Sequence, residues 1–105
     1  MTTFNDREKA FENKYARDQE MQFRIVARRN RLLGAWAAKL MGLTEVEAES
    51  YAKDVVRADF EEAGDEDVVR KLRTDFDAAG VTVSEHQIRR TMDELMAQAI
   101  EQVKS

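Results

Sequence analysis

Residues 31–43 read Arg-Leu-Leu-Gly-Ala-Trp-Ala-Ala-Lys-Leu-Met-Gly-Leu. The run is apolar almost all the way round a 3.6-residue period, which marks the most buried helix of an all-helical protein. Upstream the pattern extends back to residue 20, so the reading predicts a helix over 20–42, with Ile25, Leu32, Leu33, Trp36, Leu40 and Met41 as core candidates. Gly34 sits mid-helix, where it costs about 1 kcal/mol against alanine. Close approach of a neighbouring helix would account for it, and so would a hinge. Gly42 is placed to terminate the helix in the left-handed conformation.

Three further helices follow. Thr44 with Glu47 has capping-box spacing, and Ala48, Tyr51, Ala52, Val55 and Val56 form the apolar face of a helix expected to end near Glu62. Asp65 is predicted to cap the next, with Glu66 and Asp67 in its first turn, where negative charge suits the helix dipole. Val68, Val69, Leu72, Phe76 and Ala79 point inward and Gly80 closes it. Ser84 with Gln87 opens a last helix running to about Val103, with Ile88, Met92, Leu95, Met96 and Ala99 inward. There is no proline in the 105 residues and only four glycines, so nothing breaks these periods. The expected fold is all-α, a four-helix bundle with short turns. A three-helix core with one docked helix would leave a similar pattern.

Residues 1–19 stand apart as a first segment, with 20–105 as the bundle. Acids and bases balance there, Asp6, Glu8, Glu12 and Asp18 against Arg7, Lys9, Lys14 and Arg17. The large apolar side chains are Phe4, Phe11 and Tyr15, which fall within a narrow arc of one helix face. Three anchors do not secure a place in a core, and an isolated helix of this length is marginal in water. The segment therefore reads as a flexible arm that folds to helix on binding, capped by Thr3 or by Asn5 with Glu8.

Composition excludes several functions. A net charge of −4 lacks the basic excess of a nucleic-acid-binding domain. No cysteine is present, which removes disulfides and thiolate chemistry. The N-terminus has no apolar signal core, and its acids argue against a transit peptide. No apolar run is long enough to span a bilayer. These features point to the cytoplasm. No nucleophile–base arrangement, phosphate loop or His-based metal motif is legible, so neither catalysis, a cofactor nor a bound metal is expected. The acids Glu61, Glu62, Asp65, Glu66 and Asp67 lack the alternating ligand spacing of a calcium loop and read as helix-end charges. His86, in the first turn of helix four, reads as solvated, with a pH-sensing role as the alternative. Arg24, Arg28, Arg29 and Arg31 oppose only Glu20 over residues 20–33. They read either as a solvated face paired with acids of the second and third helices or as a docking patch for an acidic partner. From the residues alone the chain is a partner-binding helical regulatory protein; a nucleic-acid adaptor or a helical nucleotide sensor are weaker readings.

Four blocks carry a resemblance: FNDREKAFENKYA at 4–16, ARRNRLLGAWAAKLMGL at 27–43, YAKDVVRADFEEAGDEDVVRKLR at 51–73 and AGVTVSEHQIRRTMDEL at 79–95. Together they resemble the zeta subunit of alpha-proteobacterial F-type ATP synthase along essentially the whole chain. Tyr15 and Arg17 stand where that family more often has Phe and His, and Gln19 and Gln22 where charged residues are common. The resemblance implies an inhibitor of ATP hydrolysis whose N-terminal arm enters an alpha/beta catalytic interface towards gamma. By that implication Phe4, Phe11 and Tyr15 bury, while Asp6, Arg7, Glu8, Lys9, Glu12 and Lys14 set register. The protein would then be cytoplasmic and peripheral to the inner membrane through the synthase, with no insertion into it.

Overall fold

The computed structural model describes the backbone of residues 3–59 and 65–104, and the side chains of 19–59 and 65–104. Four helices follow in order: α1 Thr3–Leu40, α2 Glu45–Ala58, α3 Glu66–Ala79 and α4 Glu85–Lys104. Among the described residues there is no strand. The expected all-α four-helix fold is therefore what the chain adopts. α1 has 38 residues, about 57 Å at 1.5 Å per residue, and accounts for the long dimension of a molecule measuring 65 × 24 × 20 Å. It passes through the expected boundary at residues 19 and 20 as one helix.

α1 is the strut of the bundle, packed along α2 on one side and α4 on another, while α3 bridges α2 and α4. Gly34 explains how α2 comes so close. A Cβ built there would lie 2.6 Å from the Ala52 Cα, far inside van der Waals contact. Close packing, not a hinge, is what this glycine supplies.

α3 contributes the larger side chains. Val68, Val69, Leu72 and Phe76 are buried with Leu33, Ala37, Val55, Ile88 and Met92 in one cluster. Phe76 meets Trp36 edge to face, with ring centroids 5.8 Å apart and planes at 87°, the favoured arrangement for two quadrupolar rings. Ile25 and Ala99 extend the buried surface along α1 and α4.

Two expected core positions are corrected. Leu40 is 43% exposed, because the core side of that turn is taken by Ala37 and Met41. Ala79 is exposed at the end of α3, where Phe76 and Val81 cover the core instead.

The helix ends follow local chemistry with two exceptions. Gly42 and Gly80 have φ of +74° and +73°. Leu43 N–H donates to the Ala38 carbonyl at 3.0 Å and Val81 N–H to that of Phe76 at 2.9 Å, the six-to-one bond of a Schellman turn. Thr44 forms the complete capping box with Glu47. Gln87 N–H donates to Ser84 Oγ at 3.1 Å. α2, however, ends at Ala58 rather than near Glu62, since Asp59 N–H reaches back only to the Arg57 carbonyl and the four-residue ladder stops there. Asp65 makes no side-chain cap, and its backbone is right-handed helical; its carboxylate is engaged elsewhere.

Candidate partner-binding surface

The nine arm positions read as partner-contacting (Phe4, Asp6, Arg7, Glu8, Lys9, Phe11, Glu12, Lys14 and Tyr15), and the caps proposed for the start of α1, lie outside the described side chains. So do Glu61 and Glu62. The described side chains include the root of the arm, from residue 19, and the arginine patch.

The four arginines divide. Arg29 is corrected out of the patch: it is 2% exposed and lies inside the bundle. Its Nη2 donates to Asp65 Oδ1 at 2.9 Å and its Nε to Asn30 Oδ1 at 2.9 Å. A buried guanidinium needs such partners, since an unpaired charge in the interior is prohibitively costly. The carboxylate expected to start α3 is therefore the one that pins α3 to α1.

Arg24, Arg28 and Arg31 remain at the surface. Arg24 pairs with Glu20 at 2.9 Å, one turn back on the same helix. Arg28 Nε donates to Gln102 Oε1 of α4 at 2.6 Å. Neither bond goes to an acid of α2 or α3; Arg29 reaches Asp65, the residue just before α3. An exposed pair such as Arg24–Glu20 contributes little and is readily exchanged for another partner.

Beside these arginines runs an apolar groove that sequence reading did not single out. Phe23, Ala27 and Val56 line it throughout. Val26, Asn30 and Asp59 flank it on one side, and Val103 with Arg24, Arg28 and Arg31 on the other. Phe23 is 56% exposed. Phe23 and Ala27 recur one turn apart beside a basic row, a signal that could have been read from the sequence. Val56, assigned to the apolar face of helix two, is half-buried and forms the opposite wall.

Several other polar and charged side chains pair within the bundle. Tyr51 O–H donates to Asp75 Oδ2 at 2.7 Å, and Lys71 lies 5.1 Å from the Tyr51 ring centre. Burial first, then that hydrogen bond, pushes the Tyr51 hydroxyl well above its ordinary range. Arg89 donates to Glu66 at 2.9 Å, a bond that raises its already high pKa. Arg70 pairs with Asp67 at 3.2 Å. The described acids at the start of α3 thus each have an arginine, and among the described residues no group of three side chains could hold a metal ion. His86 is exposed.

Against this geometry stand the comparisons. A family profile for ATPase inhibitor subunit zeta matches residues 1–102. The chain belongs to this family. The family is one of inhibitory, regulatory subunits of the ATP synthase, as the resemblance of the four sequence blocks implied. A solution NMR structure is similar to the chain, with a TM-score of 0.72 and 46% sequence identity, covering 80% of this chain and 95% of that one. A bundle of this kind is therefore an experimentally observed fold. A comparison with curated proteins gave no match. Among the described residues no helix is long and apolar enough to cross a membrane.

Proposed function

We propose that residues 1–19 are the inhibitory element and residues 20–105 their carrier. The arm enters an alpha/beta catalytic interface of the F-type ATP synthase, near gamma, and blocks hydrolysis by holding one rotational state of the head. The observation that carries this is the extent of the family match, which begins at residue 1 and so takes in the arm together with the bundle. A helical arm also suits the part: the helical backbone of residues 3–19 continues directly into the bundle and spans about 25 Å.

The energetics are consistent. Ordering some fifteen residues costs about 1 kcal/mol or more each, which new helical hydrogen bonds and burial must offset. Burial of Phe4, Phe11 and Tyr15 contributes roughly 5–9 kcal/mol together. Asp6, Arg7, Glu8, Lys9, Glu12 and Lys14 set register more than affinity. Arg24, Arg28 and Arg31 dock the bundle against an acidic surface. The mechanism requires no catalytic group, cofactor or metal, no nucleic acid and no membrane insertion. The subunit works on the cytoplasmic side of the inner membrane, held there by the synthase.

The test is ATP hydrolysis by a cognate catalytic head with the full chain and with a chain lacking residues 1–19. Inhibition that disappears on truncation is the expected result. Equal inhibition by both chains would move the activity to the bundle, and binding without inhibition would reduce the protein to a structural subunit.

A further inference from the structure

The groove beside Phe23 has the dimensions and chemistry of a helix-binding site. Its α1 wall is built from residues 19, 22, 23, 26, 27 and 30, spaced so that they share one side of three successive turns, about 16 Å of helix. Its floor is apolar. Its basic rim is a single row, Arg24, Arg28 and Arg31, at i, i+4 and i+7, each one turn from the next. Among the described residues, those lining that side include no acid. Such a row matches carboxylates at the same spacing on a second helix laid alongside.

A second observation points to an occupant. Asn30 lines the groove and is 1% exposed. Its Oδ1 is held by Arg29, which fixes the amide orientation, because the flipped amide would set two N–H donors against each other. Its Nδ2 is left without a hydrogen-bond partner. A buried donor without an acceptor is costly, and a small shift of the amide towards the groove would let an incoming oxygen satisfy it.

We propose that this groove docks an amphipathic helix of the ATPase catalytic head, its apolar side on Phe23, Ala27 and Val56 and its carboxylates along Arg24, Arg28 and Arg31. The inference rests on the inhibitory reading above and deepens it, giving the bundle a contact of its own next to the arm. The apolar floor sets the position of the partner helix and the arginine row sets its direction and register.

The test uses the full chain and the purified catalytic head. A photo-reactive benzoylphenylalanine at position 23 should crosslink to an acidic amphipathic helix of the alpha or beta subunit, identified by mass spectrometry. The combined variant Arg24→Gln, Arg28→Gln, Arg31→Gln should bind the head about tenfold more weakly in calorimetry, each exposed pair contributing a two- to threefold factor. Its circular dichroism should match wild type. Binding that stays within twofold, with no crosslink from position 23, overturns the proposal while leaving inhibition by the arm intact. A wild-type chain that fails to bind the head overturns the inhibitory reading and this proposal with it. A crosslink to a second copy of the chain, or binding to vesicles of three parts phosphatidylcholine to one part phosphatidylglycerol that the variant loses while head binding is unchanged, would assign the groove to a different occupant.

Discussion

Replacing Gly34 with alanine sets two known effects against each other. Helix propensity favours alanine by about 1 kcal/mol in a helix interior. Geometry opposes it: the new Cβ would sit 2.6 Å from the Ala52 Cα, 3.2 Å from its Cβ and 3.3 Å from its N. Two of those three atoms are backbone, so relief requires α2 to move outward by most of an ångström rather than a side chain to turn aside. Overpacking of that kind costs typically 1–3 kcal/mol. The net expectation is a loss of about 1 kcal/mol, or roughly 4–8 °C in melting temperature for a domain of this size. Urea unfolding followed by far-ultraviolet circular dichroism and by Trp36 fluorescence measures it. Ala35→Gly, at an exposed position next along the helix, is the control and should lose about 1 kcal/mol through propensity alone. A Gly34→Ala protein more stable than wild type would show that α2 does not press on this site.

Three other outcomes follow from the same structure. Phe76→Ala removes a ring that is 1% exposed and should cost about 3–5 kcal/mol, with loss of the near-ultraviolet dichroism of Trp36. Tyr51→Phe removes the bond to Asp75 and should cost about 1 kcal/mol at neutral pH. Because the folded hydroxyl holds its proton more tightly than the unfolded one, which ionises near 10.0, wild-type stability falls as pH rises above that value; in a comparison of the two proteins by denaturant titration, Tyr51→Phe should lack that component of the fall. Thr44→Ala breaks the capping box and should cost about 1 kcal/mol. The hydrogen bond from the Thr44 backbone, helped by the Thr44 hydroxyl, holds the Glu47 carboxyl below 4.5, so its support for the cap is present above that pH and is lost as pH drops through the folded value; since the variant keeps the backbone N–H and loses only the hydroxyl, carboxyl NMR titration should find Glu47 moved part of the way back towards the ordinary range.

The parts of this fold that sequence reading recovers are those decided within one helical turn. Thr44 and Glu47, and the glycines at 42 and 80, each find their partners within five residues, so spacing alone identifies them. Asp65 looked like a cap by the same logic, but its carboxylate goes to Arg29, 36 residues away, and only packing of α3 on α1 makes that available. Arg29 itself looked like its neighbours Arg28 and Arg31, because a charge pattern carries no record of which side of α1 is covered. The groove was missed for the same reason. Phe23 counts as apolar in any periodicity, and its exposure depends on where α2 ends and α4 passes. The arm residues are legible as an aromatic stripe, since that is a matter of helix geometry, but their partner belongs to another chain.

Asp65 has two mutually exclusive uses. Turned towards α1 it holds Arg29; turned back on its own helix, with the extended backbone of a cap, it would accept from the first N–H groups of α3, an interaction worth about 1 kcal/mol. If α3 swings away from α1 in a local opening, the released carboxylate can take up the second role and keep the start of α3 helical. The detached helix is thereby cushioned, and the interhelical pair restrains α3 by less than its bond length suggests. Hydrogen exchange should register this as amides in the first turn of α3 that stay protected relative to the contacts the helix has lost.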